Sequence, residues 1–194
     1  MKSIEILERI FGSIAKVKIM RLFLFNSQVG FKMDEVIRRA KVSREVARKE
    51  LKNLEKVDLL KRRSVRRKPM WSLDPKFLYI RPLKEFLVEM GPIKHSDIAN
   101  RLRRVGKMKL IVVAGVFVHD QDSRVDLLVV GDKIRKKALD RAVRTMESEI
   151  GKELSYAVFE TPEFTYRLDM YDKLLRDILD YPHQKIINKF GDLN

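Results

Sequence analysis

The 194-residue chain has no cysteine, one tryptophan, three histidines, six prolines and eight glycines. Without cysteine there are no disulfides and no thiolate metal sites, which fits a reducing cytoplasm. The histidines, His95, His119 and His183, are scattered, and no two have metal-ligand spacing. No Ser-His-Asp or Cys-His arrangement is present, and neither a cofactor motif nor an internal repeat is evident. Long apolar runs are missing as well: no window approaches about 18 uninterrupted apolar residues, so no membrane span is expected. Lys2, Glu5, Glu8 and Arg9 place charges along an N-terminus that lacks a signal-peptide core. The basic residues do not lie on a single helix with a broad apolar face, which argues against a membrane surface.

What is abundant is positive charge. The formal net charge is +15, with 45% apolar residues to build cores. The charge is uneven: residues 1–92 hold 23 Lys/Arg against 11 Asp/Glu, whereas residues 93–194 hold 19 against 16. Within residues 38–68 the ratio is fourteen to four. That asymmetry predicts two modules, the first facing polyanions.

Local patterns give the first module its parts. Residues 4–10 read as a short amphipathic helix, broken at Phe11-Gly12-Ser13 before a second helix from about Ile14 to Phe25. Residues 26–30 read as a loop and Lys32 to Ala40 as a third helix. After a turn at Lys41-Val42, Ser43 is placed to cap a fourth helix running to about Val57, with Glu45 in its first turn suiting the helix dipole. Ala47, Leu51 and Leu54 commit one face of that helix to the core. Arg44, Arg48, Lys49 and Lys52 project from the other. Arg suits guanine edges and Lys suits phosphate, so these four are the candidates for a groove-facing surface. Two short strands follow, joined by a basic tip containing Arg62, Arg63, Arg66, Arg67 and Lys68, which is expected beside phosphates. Trp71 is assigned to core packing rather than base stacking.

Residues 11–75, with VSREVARKELKNLEKVDLLKRR at their centre, resemble the ArsR/MarR-type winged helix of prokaryotic transcription regulators. The matching residues are Ser43, Leu51, Leu54 and Leu59-Leu60. Asp58 stands where such sequences commonly have glycine in a left-handed turn, a conformation Asp tolerates. The resemblance implies double-stranded DNA as partner and a homodimer reading a palindromic site.

Asp74-Pro75 ends this module. Phe77 to Met90 reads as helical with a break at Arg81-Pro82, Gly91-Pro92 marks a boundary, and Ile93 to Arg104 reads as a further helix. The expected domains are therefore 1–75, a helical connector over 76–104, and 105–194. In the last, residues 109–117, 125–132 and 153–159 read as strands, and residues 133–150 and 162–180 as helices. This predicts an α/β layer with one sheet face covered and, for the whole chain, an α+β class.

Residues 105–180 resemble the minimal nucleotidyltransferase fold, with a small mixed sheet. That family needs hard oxygen ligands for two metal ions around a triphosphate. Gly115 and Asp126 match its turn glycine and the second aspartate of its pair. Val116 stands where its serine would be and Arg124 where its first aspartate would be, and the third strand offers no carboxylate, Glu160 lying beyond its end. Asp120, Asp122 and Asp132 lie nearby, but loops and strand ends favour carboxylates for solubility. The expectation is a non-catalytic domain without resident metal, with Gly115, Arg124 and Asp126 as a vestigial nucleotide site, or with Arg124 engaged in an internal ion pair. The functions in view are a transcription regulator whose second domain senses a nucleotide or small-molecule effector, recruits a partner or dimerises, an active nucleotidyltransferase acting on nucleic acid or protein, and a protein-interaction adaptor.

Overall fold

Oxygen-bearing caps open some of the helices, at Ser13, Ser43 and Asp172, and left-handed residues follow others, in the computed structural model, which describes residues 3–91, 93–118, 120 and 123–191. The readings attached to Pro92, His119 and Asp122 lie outside the described residues. The architecture is mixed α+β with two small sheets. It divides into two units, Met1–Lys94 with Arg144–Glu153, and His95–Val143 with Leu154–Asn194.

In the first unit, α1 (Ser3–Phe11) and α2 (Ile14–Leu24) are separated by Gly12, and the Ser13 hydroxyl accepts the Lys16 N–H at 3.2 Å. α3 (Met33–Ala40) ends at left-handed Lys41. α4 (Arg44–Lys56) opens at Ser43, whose hydroxyl accepts the Val46 N–H at 3.3 Å. It closes at Asp58 (φ 60°): Asp58 N–H donates to the Glu55 carbonyl at 3.0 Å and Leu59 N–H to the Leu54 carbonyl at 3.1 Å. These paired bonds satisfy carbonyls that a helix end otherwise leaves open, and Leu54 and Leu59 enter one apolar core.

β2 (Leu60–Val65) and β3 (Lys68–Leu73) form an antiparallel hairpin, and β1 (Phe31–Lys32) pairs with the other edge of β3, Phe31 opposite Trp71. β1 escapes the sequence pattern because two residues carry no period. α5 (Ile80–Glu89) contradicts the expected break at Arg81-Pro82. The helix begins at Ile80, so Pro82 lies in its first turn, where a missing N–H removes no intrahelical bond.

The core of this unit includes Phe23, Leu24, Val36, Leu51, Leu59, Trp71 and Leu87. Each such buried side chain contributes roughly 1.5–3 kcal/mol. Arg21 is also fully buried, its Nη1 donating to the Glu149 carbonyl at 3.0 Å and its Nη2 to the Leu87 carbonyl at 2.9 Å. Burial pulls its pKa down to about 10 against the opposing charge of Glu149, so the guanidinium remains charged at neutral pH.

The second unit contains α6 (His95–Arg103), β4 (Lys107–Val113), a 3-10 turn at Gly115–Phe117 and β5 (Leu127–Asp132). α7 (Lys136–Ile150) starts in this unit, and its last turns lie in the first. β6 (Tyr156–Phe159), α8 (Thr161–Asp169), α9 (Lys173–Asp180) and β7 (Gln184–Asn188) complete it. The sheet order is β6-β5-β4-β7, with β5 and β6 parallel and the other pairs antiparallel.

Two expectations are corrected here. The single helix over 162–180 is two, because Tyr171 is left-handed (φ 52°) and Asp172 caps α9 by accepting the N–H groups of Leu174 at 2.9 Å and Leu175 at 3.2 Å. Those backbone bonds, reinforced by Arg167, hold the Asp172 carboxyl below its usual pKa. The sheet is also covered on both faces rather than one. Leu110, Val112, Leu128 and Val130 pack with Phe164, Leu175 and Ile178, while Ile111, Val113, Leu127 and Val129, on the alternate face, are equally buried. α6 packs against β4 and β7.

Candidate nucleic-acid interface

The first unit gathers most of the sequence-selected basic residues on two exposed elements. α4 turns Ala47, Leu51 and Leu54 into the core together with Glu50, which is held by Asn53 at 3.3 Å and by Lys16 at 3.9 Å. Arg44, Arg48, Lys49 and Lys52 are left exposed. Of these, Arg44 is engaged by Asp34 of α3. Both partners are open to water, so the pair is worth at most about 1 kcal/mol and yields readily to a stronger anion. Ser43 serves the backbone: its hydroxyl is occupied as the cap.

The hairpin presents its charge differently. Residues 62–68 are all exposed. Arg62 lies opposite Trp71, with its guanidinium carbon 5.7 Å from the ring centre. Trp71 is itself buried and donates its indole N–H to Glu55, so it is a packing residue as its neighbours imply. Arg62 is thereby tied to the root of the hairpin. Arg63 pairs opposite Met70, and Val65 opposite Lys68.

Between them lies a two-residue turn in which Arg66 (φ 51°) and Arg67 (φ 61°) are both left-handed. This is the turn geometry that matches strand twist, and it ordinarily selects Asn-Gly or Gly-Gly. An L residue with a Cβ costs about 1 kcal/mol or more at each such position. The chain therefore carries a strained tip that bears two arginines. No ion pair is formed by either among the described residues. Sequence patterning finds the basic tip, but it cannot see that both arginines occupy glycine's conformation.

The second candidate centre lies in the second unit, at the end of β4. Gly115 is left-handed (φ 52°), and a Cβ there would stand 2.3 Å from Asp126 Oδ1. Asp126 is buried, and its two oxygens accept backbone N–H groups of Val116 and Ser155, each at 2.9 Å. A carboxylate so occupied joins the turn after β4 to the approach to β6. Arg124 pairs with Asp177 of α9 at 3.1 Å. Gly115, Arg124 and Asp126 thus all have internal roles. Asp120 and Asp132 are partly buried, and Glu160 is the N-cap residue of α8. Among the described residues no three His, Asp or Glu side chains converge in a way that could hold a metal ion.

Comparison with protein-family models, with characterised proteins and with solved structures finds no match to this chain. Among the described residues no helix is long and apolar enough to cross a membrane.

Proposed function

We propose that the protein is a double-stranded-DNA-binding transcription regulator of the winged-helix kind, acting as a homodimer. In this reading α4 enters the major groove with Arg48, Lys49, Lys52 and a displaceable Arg44, and the β2-β3 hairpin is the wing. The second unit is a non-catalytic, nucleotidyltransferase-like domain for sensing or dimerisation. The observation that carries the reading is the left-handed Arg66-Arg67 pair. A strained turn whose two side chains form no ion pair among the described residues points to an external partner, and two adjacent guanidinium groups on an exposed tip suit phosphates. The order of helix, turn, helix and hairpin supplies the matching scaffold.

The rival reading, an active nucleotidyltransferase, requires carboxylates free to meet metal. Asp126 accepts two backbone N–H groups instead, and the neighbouring charge at position 124 is positive.

Selection of bound fragments from genomic DNA is the decisive test, followed by titration of a recovered duplex over a range of salt. An enriched sequence is expected. Arg48→Gln should relax discrimination at a base position. Arg66→Gln with Arg67→Gln should weaken binding to all duplexes and lower the salt slope by about 2, roughly 0.9 for each phosphate no longer neutralised. No enrichment, with equally negligible low-salt binding by wild type and variants, sinks the proposal.

A further inference from the structure

A second cationic feature of the first unit is a partly open recess rather than a projection. A cavity of about 70 Å³ is lined by Lys18 and Leu22 of α2, Arg38 and Arg39 of α3, and residues of the 144–153 segment including Arg144, Glu147 and Lys152. Its volume is several times what one water requires, roughly 10–15 Å³, and suits a single tetrahedral oxyanion. Five cationic side chains face two carboxylates, Glu147 and Glu153. The C-terminal ends of α3 and α7 lie in the same wall, and each subtracts about half a charge. The balance is roughly +2, the complement of a phosphate dianion.

One side chain in this wall has a donor without an acceptor. Arg39 bonds Glu153 at 2.8 Å and lies over the Phe31 ring at 5.1 Å, yet its Nε is buried and has no hydrogen-bond partner. Buried donors without acceptors are rare and costly, and a bound ion is one of the few ways to satisfy them.

Hydrogen bonds and one close backbone approach hold the frame around the cavity. Asn26 Nδ2 donates to the Gly151 carbonyl at 2.7 Å, and Lys41 Nζ donates to Thr145 Oγ1 at 2.7 Å. Gly151 is left-handed (φ 87°), and a Cβ on it would stand 2.5 Å from the Arg21 backbone. The 144–153 segment is therefore seated closely against α2 and the turn before α4, and it brings Arg144 and Lys152 to meet Arg38 and Arg39.

We propose that this cavity binds a phosphate dianion, free or as the terminal group of a small phosphomonoester. Arginine forks match tetrahedral oxyanions with paired, charge-assisted hydrogen bonds. Bound phosphate neutralises like charges that α3 and the 144–153 segment otherwise hold against each other.

The test is calorimetric titration of the full chain with inorganic phosphate at fixed ionic strength. Saturable binding at one site is expected. Arg144→Gln with Lys152→Gln alters exposed side chains, so the fold should persist, which circular dichroism checks. This variant should weaken binding at least about tenfold, since two charge-assisted hydrogen bonds disappear. Arg39→Lys keeps the charge but not the fork and should weaken it too. Arg66→Gln with Arg67→Gln should leave it within about twofold, since an exposed tip is no part of the cavity. A titration that never saturates, unchanged affinity in the Arg144/Lys152 variant, or equal weakening by the tip variant overturns the proposal. One-for-one expulsion of phosphate by a saturating duplex would assign the site to the DNA backbone and overturn the small-ligand source. Failure of the protein to bind DNA would leave this titration unaffected.

Discussion

The hairpin tip at Arg66-Arg67 and the corner at Gly115-Asp126 meet the same backbone demand with opposite chemistry. Both need left-handed residues. At the corner the chain supplies glycine, and the space left by the missing Cβ is taken by a carboxylate that binds two backbone N–H groups. At the tip it supplies two arginines whose charges are left to solvent. Single left-handed positions also occur at Lys133 and Tyr171, flanking helices, but among the described residues only the tip puts two non-glycine residues in sequence. The corner is organised for its own stability. The tip holds two charges outward in a conformation that costs stability.

The largest effect should come from disturbing the corner. Gly115→Ala would place a methyl group 2.3 Å from Asp126 Oδ1 and force an unfavourable φ. Either the carboxylate moves, releasing the N–H groups of Val116 and Ser155, or the turn does. A loss of about 2–4 kcal/mol is expected, read by chemical denaturation followed by circular dichroism. A change below about 0.5 kcal/mol, the size of an ordinary surface substitution, would show that the corner is not the constrained junction its geometry implies.

At the tip the sign should reverse. Arg66→Asn with Arg67→Gly installs the residues the turn prefers. Two left-handed penalties of about 1 kcal/mol each vanish, against about 0.5–1 kcal/mol for the added freedom of glycine in the unfolded chain. The variant should be more stable by about 1 kcal/mol, while its affinity for duplex at 0.1 M salt should fall roughly ten- to a hundredfold. Gain of stability with unchanged binding would leave the strain unexplained by DNA. A fall in both would mean that the arginines interact within the fold.

The same contrast explains what the sequence disclosed. Ser43, Asp58 and the apolar face of α4 are local features: a cap, a left-handed stop and a 3.6-residue period can each be read within a few residues. Trp71 is legible from Met70 and Leu73 beside it. β1 and the pairing of β7 with β4 are not, because short strands are defined by distant partners. Membership of residues 144–153 in the first unit is equally hidden. Nothing within those residues announces that Glu149 and Gly151 offer carbonyls to Arg21 and Asn26. The basic tract is visible as composition. Its division into a paired Arg44, a stacked Arg62 and a strained Arg66-Arg67 requires geometry.

The smallest effect is expected at Arg124, where the comparison can be made finest. Its side chain is 64% exposed, and it meets Asp177, which is 22% exposed, at 3.1 Å. Arg124→Ala should therefore cost less than about 1 kcal/mol, and high salt should shrink the difference from wild type. Arg124→Asp restores the acidic pair of a nucleotidyltransferase on paper but sets a second carboxylate toward Asp177, so it should destabilise more than alanine does. Magnesium should not reverse that loss if Asp126 remains bound to the Val116 and Ser155 N–H groups. Thermal unfolding of both variants with and without magnesium and a nucleoside triphosphate decides the matter. A ligand-dependent rise in melting temperature that appears only with aspartate at position 124 would mean the corner is one substitution away from a working site, not a junction closed by its own hydrogen bonds.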